Sequence, residues 1–217
     1  MNRAIYAVDI GSTLSGAFAW ARVYSNAPNQ VSTSHCITHL AKSLRSDLTK
    51  GLSVSLGFEA PLFLPVPLHS QDLSRARDNE GNRSWSAPAG LSVATLAIHQ
   101  ISWLFRNLSD LRRDRLLTTH IADWPPEQDQ QFFCWEAFVS GPAHADDHMR
   151  DAATAATYFL ANENNLQGMN AVTANNPLSL FHTAAIWAGW ITEVNQLNNQ
   201  LLVLRPEAPY FGDINDA

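Results

Sequence analysis

Three carboxylates stand in this chain where a charge is costly, and they limit the folds open to it more than any other feature. Asp9 lies near the end of the apolar run Ala4 to Ile10, Glu59 follows the alternating run Leu52 to Phe58, and Asp151 opens an alanine-rich segment that reaches Leu160. A buried carboxylate is expensive unless it is paired or bound to a cation. Three that converge satisfy one another's cost by holding one or two hard divalent ions. The expected fold therefore brings two strand ends and a helix start to one place.

The patterning around these acids predicts an α/β chain. Ala4 to Ile10 and Gly16 to Tyr24 read as a hairpin, Val31 to Leu40 as a third strand, and Leu40 to Leu48 as a short helix stopped by Gly51. Leu52 to Phe58 is a fourth strand. Ala60 to Gly90 is a long connection punctuated by Pro61, Pro65, Pro67 and Pro88, and loops of that length are functional or mobile. Leu91 to Leu108 has helical spacing, Phe132 to Val139 is the most strand-like segment, and Ala143 to Leu160 reads as a helix. Asn162 to Asn176 is expected to be an exposed excursion, Leu178 to Trp190 a helix, Leu201 to Leu204 a last strand, and the residues after Pro206 a loose tail. One domain over 1–217 accommodates all of this, with a C-terminal extension from about 162.

Of the 217 residues, 46% are hydrophobic and 16% charged, which excludes the low-hydrophobicity signature of disorder. No apolar run is long enough for a membrane span, and Met1 to Thr13 lacks a signal-peptide pattern, so a cytoplasmic location with no membrane partner is expected. Cys36 and Cys134 fall in segments read as separate strands, which predicts buried thiols rather than a disulfide. A net charge of −6 argues against coating nucleic acid by charge alone. It leaves room for an acidic site that reaches phosphate through Mg²⁺ or Mn²⁺. Local basic patches, Arg75, Arg77 and Arg83 or Arg106, Arg112, Arg113 and Arg115, are candidates for the remaining phosphate contacts.

Asp151 also belongs to a denser group. The spacing of His144, Asp147, His148 and Asp151 places all four on one face if the helix begins at Ala143. Glu136, inside the strand before them, is a further candidate ligand, as is Asp147.

An Asp on the first strand of a hairpin, an acid after the fourth strand and an Asp on a late helix resembles the ribonuclease H-like superfamily in both order and residue type. His148-Met149-Arg150-Asp151-Ala152 is similar to the His-x-x-Asp-Ala pattern of RuvC-type nuclease domains. A further resemblance is to a poorly characterised branch of predicted nucleases carrying an acid-x-Pro-x-x-Leu-Pro segment and then an Arg/Asp-rich loop. Here those are Glu59 to Pro65 and Arg75 to Pro88, with Glu59 standing where many relatives have Asp. The resemblance implies a mixed sheet with three antiparallel N-terminal strands and further strands flanked by helices. It also implies two-metal hydrolysis of phosphodiesters in DNA or RNA: Asp9, Glu59 and Asp151 as ligands, His148 orienting or deprotonating the water, and Arg75, Arg77 or Arg83 clamping a phosphate.

Two other readings stay open. Asp9 to Gly16 also resembles the first phosphate loop of actin-like ATPases and sugar kinases, although no second Asp-x-Gly segment follows in the latter half. An inactive ribonuclease H-like scaffold, acting through a homodimer, is the other.

Overall fold

The computed structural model describes residues 2–81, 84–112, 116–126, 131–210 and 212–216. Its elements in chain order are β1 (Arg3–Asp9), β2 (Ala19–Tyr24), β3 (Ala27–Ser34), α1 (Ile37–Thr49), β4 (Ser53–Glu59), β5 (Phe63–Pro65) and α2 (Pro88–Asn107). β6 (Leu116–Thr118), β7 (Gln131–Ala137), α3 (His148–Asn162), β8 (Pro177–Ser179), α4 (Leu180–Trp187), β9 (Val203–Leu204) and β10 (Ile214–Asp216) follow. The main sheet runs β10-β3-β2-β1-β4-β7-β6, with β9 beside β7 and β5 pairing separately with β8. β1, β2 and β3 are antiparallel neighbours, whereas β4, β6, β7, β9 and β10 join by parallel pairing. The result is an α/β architecture: a mixed, mostly parallel sheet flanked by four helices.

Strand alternation sorts most of the apolar residues into two large cores, with a small third cluster of Phe63, Val172 and Val203. Tyr6, Val8, Leu56 and Phe132 face α1, α2 and α4, where they meet Leu44, Leu104, Phe105 and Phe181. Ile5, Ala7, Phe133 and Trp135 face α3. That helix presents Ala152, Ala153, Ala155 and Ala156 to the sheet. Side chains this small let its backbone lie close, and Phe159 fills the space further along by stacking on Trp135 with ring centroids 4.8 Å apart. Gly57 completes the fit, because a Cβ there would fall 2.4 Å from the Trp135 ring, whose indole N–H donates to Ser55 Oγ at 2.9 Å.

Several expectations are corrected. The third strand ends at Ser34 and α1 begins at Ile37, so Cys36 is the residue before a helix rather than part of a strand; Cys134 is buried in β7. α3 starts at His148 instead of Ala143, since Gly141 takes a positive φ and Asp147 caps the helix. The excursion after Asn162 is anchored: Leu166 and Val172 are buried and Ala171 N–H donates to Val203 O. The end of the chain is no loose tail, because β10 pairs with β3 through Ile214↔Val31. The C-terminal extension therefore belongs to the same sheet and cores. Within the long connection, β5 pairs with β8 and Asp78 bridges Thr173. β6 forms where no strand was anticipated. Among the described residues, no helix is long and apolar enough to cross a membrane.

Gly57→Ala is expected to lower unfolding stability by roughly 1–3 kcal/mol, the usual cost of overpacking. Denaturant titration followed by tryptophan fluorescence checks this, and a neutral result would show that Trp135 can move aside.

Candidate metal centre

Parallel pairing of β1 with β4 sets Asp9 level with Glu59. Both follow the alternation of Ala7 and Gly57 and turn toward α3, whose first turn supplies Asp151. One carboxylate oxygen from each of the three lies within 4.8 Å of the others. Asp9 and Asp151 are buried, and Glu59 is half-buried. Among the described residues, these are the three acids that could share one ion. An all-oxygen, all-carboxylate donor set suits hard divalent cations such as Mg²⁺ or Mn²⁺.

Two histidines flank the acids. His148 Nδ1 lies 2.6 Å from Asp9 Oδ2 and His144 Nδ1 lies 2.6 Å from Asp151 Oδ2. Asp151 Oδ1 also accepts the Ala145 N–H at 2.7 Å. His144 precedes the helix rather than sharing its face, and the turn after Ala143 brings it back onto Asp151. Sequence spacing grouped His144 with Asp147, His148 and Asp151 on one helical face and gave the catalytic role to His148; it did not anticipate that His144 reaches Asp151 from outside the helix. A carboxylate oxygen has two lone pairs, so an acid held by an imidazole can still bind a cation.

Crowding leaves its mark on the acids. Burial raises the Asp9 pKa to about 6 against the opposing pull of His148, with nearby Asp151 adding to the rise. Asp151 is raised as well, chiefly by burial, while the Ala145 amide and His144 work in the other direction. A bound dication relieves both the burial cost and the mutual repulsion, so the residues fit the ion the sequence implied.

Glu136 lies elsewhere for a reason of parity. In the β4–β7 pairing, Glu59 stands opposite Ala137, while Glu136 stands opposite Phe58 and shares its face. There Arg77 donates to both of its oxygens, at 2.8 and 2.7 Å, and the Leu62 N–H donates at 2.9 Å. Arg77 also bonds Glu80 through Nε at 3.0 Å. All three side chains are almost fully buried. Burial raises the Glu136 pKa, with Arg77 opposing.

The phosphate-clamp expectation for Arg77 is thus corrected: its donors are engaged inside the protein. Asp147 is corrected too. It caps α3 by accepting the Met149 N–H at 2.9 Å, which satisfies an otherwise unpaired helix donor. Arg75 is exposed and paired with Asp72 on the long connection. Arg83 lies outside the described residues, as do Arg113 and Arg115. Arg106 sits at the far end of α2, about 27 Å from its first turn at the helical rise.

A cavity of about 410 Å³ opens beside the acids. Asp9 and Glu59 form one side, the first turns of α2 another, and the residues following β7 a third. Comparison of the chain with protein-family models, with curated proteins and with solved structures finds no match.

Arg77→Leu leaves Glu136 buried without its cation. An unfolding stability about 3–5 kcal/mol lower is expected by equilibrium denaturation, with Mn²⁺ binding retained by the folded protein because neither member of the pair is among the three acids that could share an ion. Loss of Mn²⁺ binding in the folded variant would instead tie the pair to the metal centre.

Asp9 predicts a pH signature. Its folded carboxyl keeps a proton to about pH 6, whereas an unfolded Asp releases it near pH 4. The contribution to metal-free stability is therefore complete below about pH 4 and lost as pH rises through about 6. Thermal unfolding with and without Mn²⁺ should show a metal-induced stabilisation that grows across the same interval. A shift independent of pH would remove Asp9 from the ligand set.

Proposed function

We propose that this protein is a ribonuclease H-like, metal-dependent nuclease that hydrolyses phosphodiester bonds in nucleic acid. The observation that carries the reading is the meeting of Asp9, Glu59 and Asp151 from three separate elements within 4.8 Å. Their order supports it: an acid ending the first of three antiparallel strands, an acid ending the parallel fourth strand, and an Asp in the first turn of a later helix. The same order characterises the superfamily that the sequence resembles.

Asp9, Glu59 and Asp151 would hold Mg²⁺ or Mn²⁺. When bound, the ions supply Lewis-acid charge at the phosphate and ease ionisation of the attacking water. His148, half exposed, engages Asp9 through Nδ1, which leaves Nε2 to accept a proton from that water. Asp9 fixes the ring's orientation. His144 acts as a positioning residue by holding Asp151.

One observation favours this reading over a phosphate loop at Asp9 to Gly16. Leu14 and Ser15 donate their N–H groups to Ser12 Oγ, and Ala17 and Phe18 donate theirs to Ser12 O. Those amides close the turn on itself instead of facing a nucleotide phosphate.

The test is to titrate Mg²⁺ and Mn²⁺ while assaying labelled single-stranded, duplex and junction DNA and RNA. Cleavage that requires metal, and that falls by ~100-fold or more in Asp9→Asn and in Asp151→Asn, is expected. His148→Ala should lower kcat by about 100-fold with Mn²⁺ binding retained. Absence of both metal binding and cleavage in the unaltered protein would sink the nuclease reading.

A further inference from the structure

We propose that the cavity beside the metal centre receives the base of an unpaired nucleotide, so that the substrate is single-stranded or locally unpaired nucleic acid. The inference rests on the nuclease reading and adds what lies next to the cleaved phosphate. Its size, about 410 Å³, falls in the range of small-ligand sites and admits one purine or pyrimidine.

Charge decides what can enter. Among the described residues, the ionisable groups lining the cavity are Asp9, Glu59, Glu80 and Glu136 against the cation Arg77, whose guanidinium is already engaged by Glu80 and Glu136. A phosphate is repelled by that lining wherever no metal intervenes, so the phosphate belongs at the three acids and not inside the cavity. Apart from Ser84, the rest of the described wall is apolar, from Ile10, Pro61, Ala89, Val93 and Val139 among others. A neutral, flat, weakly hydrated group fits such a wall, and in a polynucleotide that group is the base.

Phe138 supplies the stacking surface. It is half-buried on the cavity wall, with the Arg205 guanidinium over its ring at 4.3 Å. Arg205 is itself held by the Asn79 carbonyl at 2.9 Å, which fixes the ring's support. Bases stack on aromatic rings whatever their sequence, because each presents a π face. A base recessed between α2 and the residues after β7 has left its helical stack, which costs least where it was never paired. Leu14, 98% exposed at the tip of the turn that follows Asp9, adds an apolar side chain of the kind that inserts between bases.

The experiment uses the full chain with Mn²⁺ and three labelled DNAs of one sequence: a single strand, a continuous duplex, and a duplex with one looped-out nucleotide. The single strand and the looped-out duplex should be cut at least about tenfold faster than the continuous duplex. Phe138→Ala should raise KM for the single strand by about tenfold, the effect of losing one stacked base, with Mn²⁺ affinity unchanged. Ala89→Phe plugs the cavity from an exposed position in the first turn of α2, where folding is not at stake, and should do the same. Equal cutting of the continuous duplex, or an unchanged KM in Ala89→Phe, overturns the base cavity while cleavage lost in Asp9→Asn keeps the nuclease.

A binding arm separates the two failures. A single strand carrying 2-aminopurine, mixed with the protein and Ca²⁺, should lose fluorescence as the base stacks, and Ala89→Phe should abolish that loss. If no DNA is cut but the quenching is present and sensitive to Ala89→Phe, the cavity inference stands without the nuclease. If there is no quenching, the inference is overturned.

Discussion

The burial of Asp9 beside Asp151, with Glu59 set level with Asp9 by the parallel pairing of β1 with β4, is the constraint around which this end of the sheet is arranged. Two acids at adjacent strand ends, joined by a third from α3, are costly to bury, and small or hydrogen-bonding groups stand beside them among the described residues. The next strand contributes Ala137 at the matching position. The facing helix contributes alanines, and the two imidazoles each take a carboxylate oxygen. A one-residue slip of β7 would exchange Ala137 for Glu136, adding a fourth acid to the cluster and stranding Arg77 on the other side. Register in the sheet and charge balance at the site are one requirement.

The three converging acids were legible in the sequence because each is a charge at the margin of an apolar run, and the energetic cost of such a charge is a local property. What the sequence did not reveal depends on partners distant along the chain. Glu136 carried the same local signal as Glu59, and only the pairing of β7 with β4 assigns it to the opposite face. Arg77 reads as a loop cation free to meet a phosphate until the connection folds inward and inserts it between Glu80 and Glu136. Asp147 and Asp151 differ by one helical turn, yet a helix starting at His148 makes the first a cap and the second a buried acid. The pairing of Ile214 to Asp216 with β3 was invisible for a related reason, since three residues carry too little periodicity to announce a strand.

The long connection after β4 draws its order from polar contacts more than from apolar burial. Glu80 accepts from the Arg77 backbone and side chain and from the Trp85 N–H, while Trp85 itself donates to the Arg75 carbonyl. These bonds tie the segment to Glu136 on one side and deliver it to the start of α2 on the other. Arg77, Glu80 and Glu136 also wall the cavity. A segment rich in Ser, Arg and Asp thereby becomes a fixed boundary, and the unusual cost of a fully buried ion pair buys geometry beside the metal centre rather than net stability.

The candidate metal centre also bears on how the chain reaches its folded state. Its acids come from a first strand, a fourth strand and a late helix, so most of the sequence must be in place before all three meet. An unfolded chain offers a divalent ion only isolated carboxylates, whose affinity is slight. Cation binding at this candidate site would then be confined almost wholly to the finished structure and would pull the folding equilibrium by mass action without stabilising partly folded forms. During assembly the three acids resist their own convergence, and an ion can act only after the sheet and α3 have already closed around it.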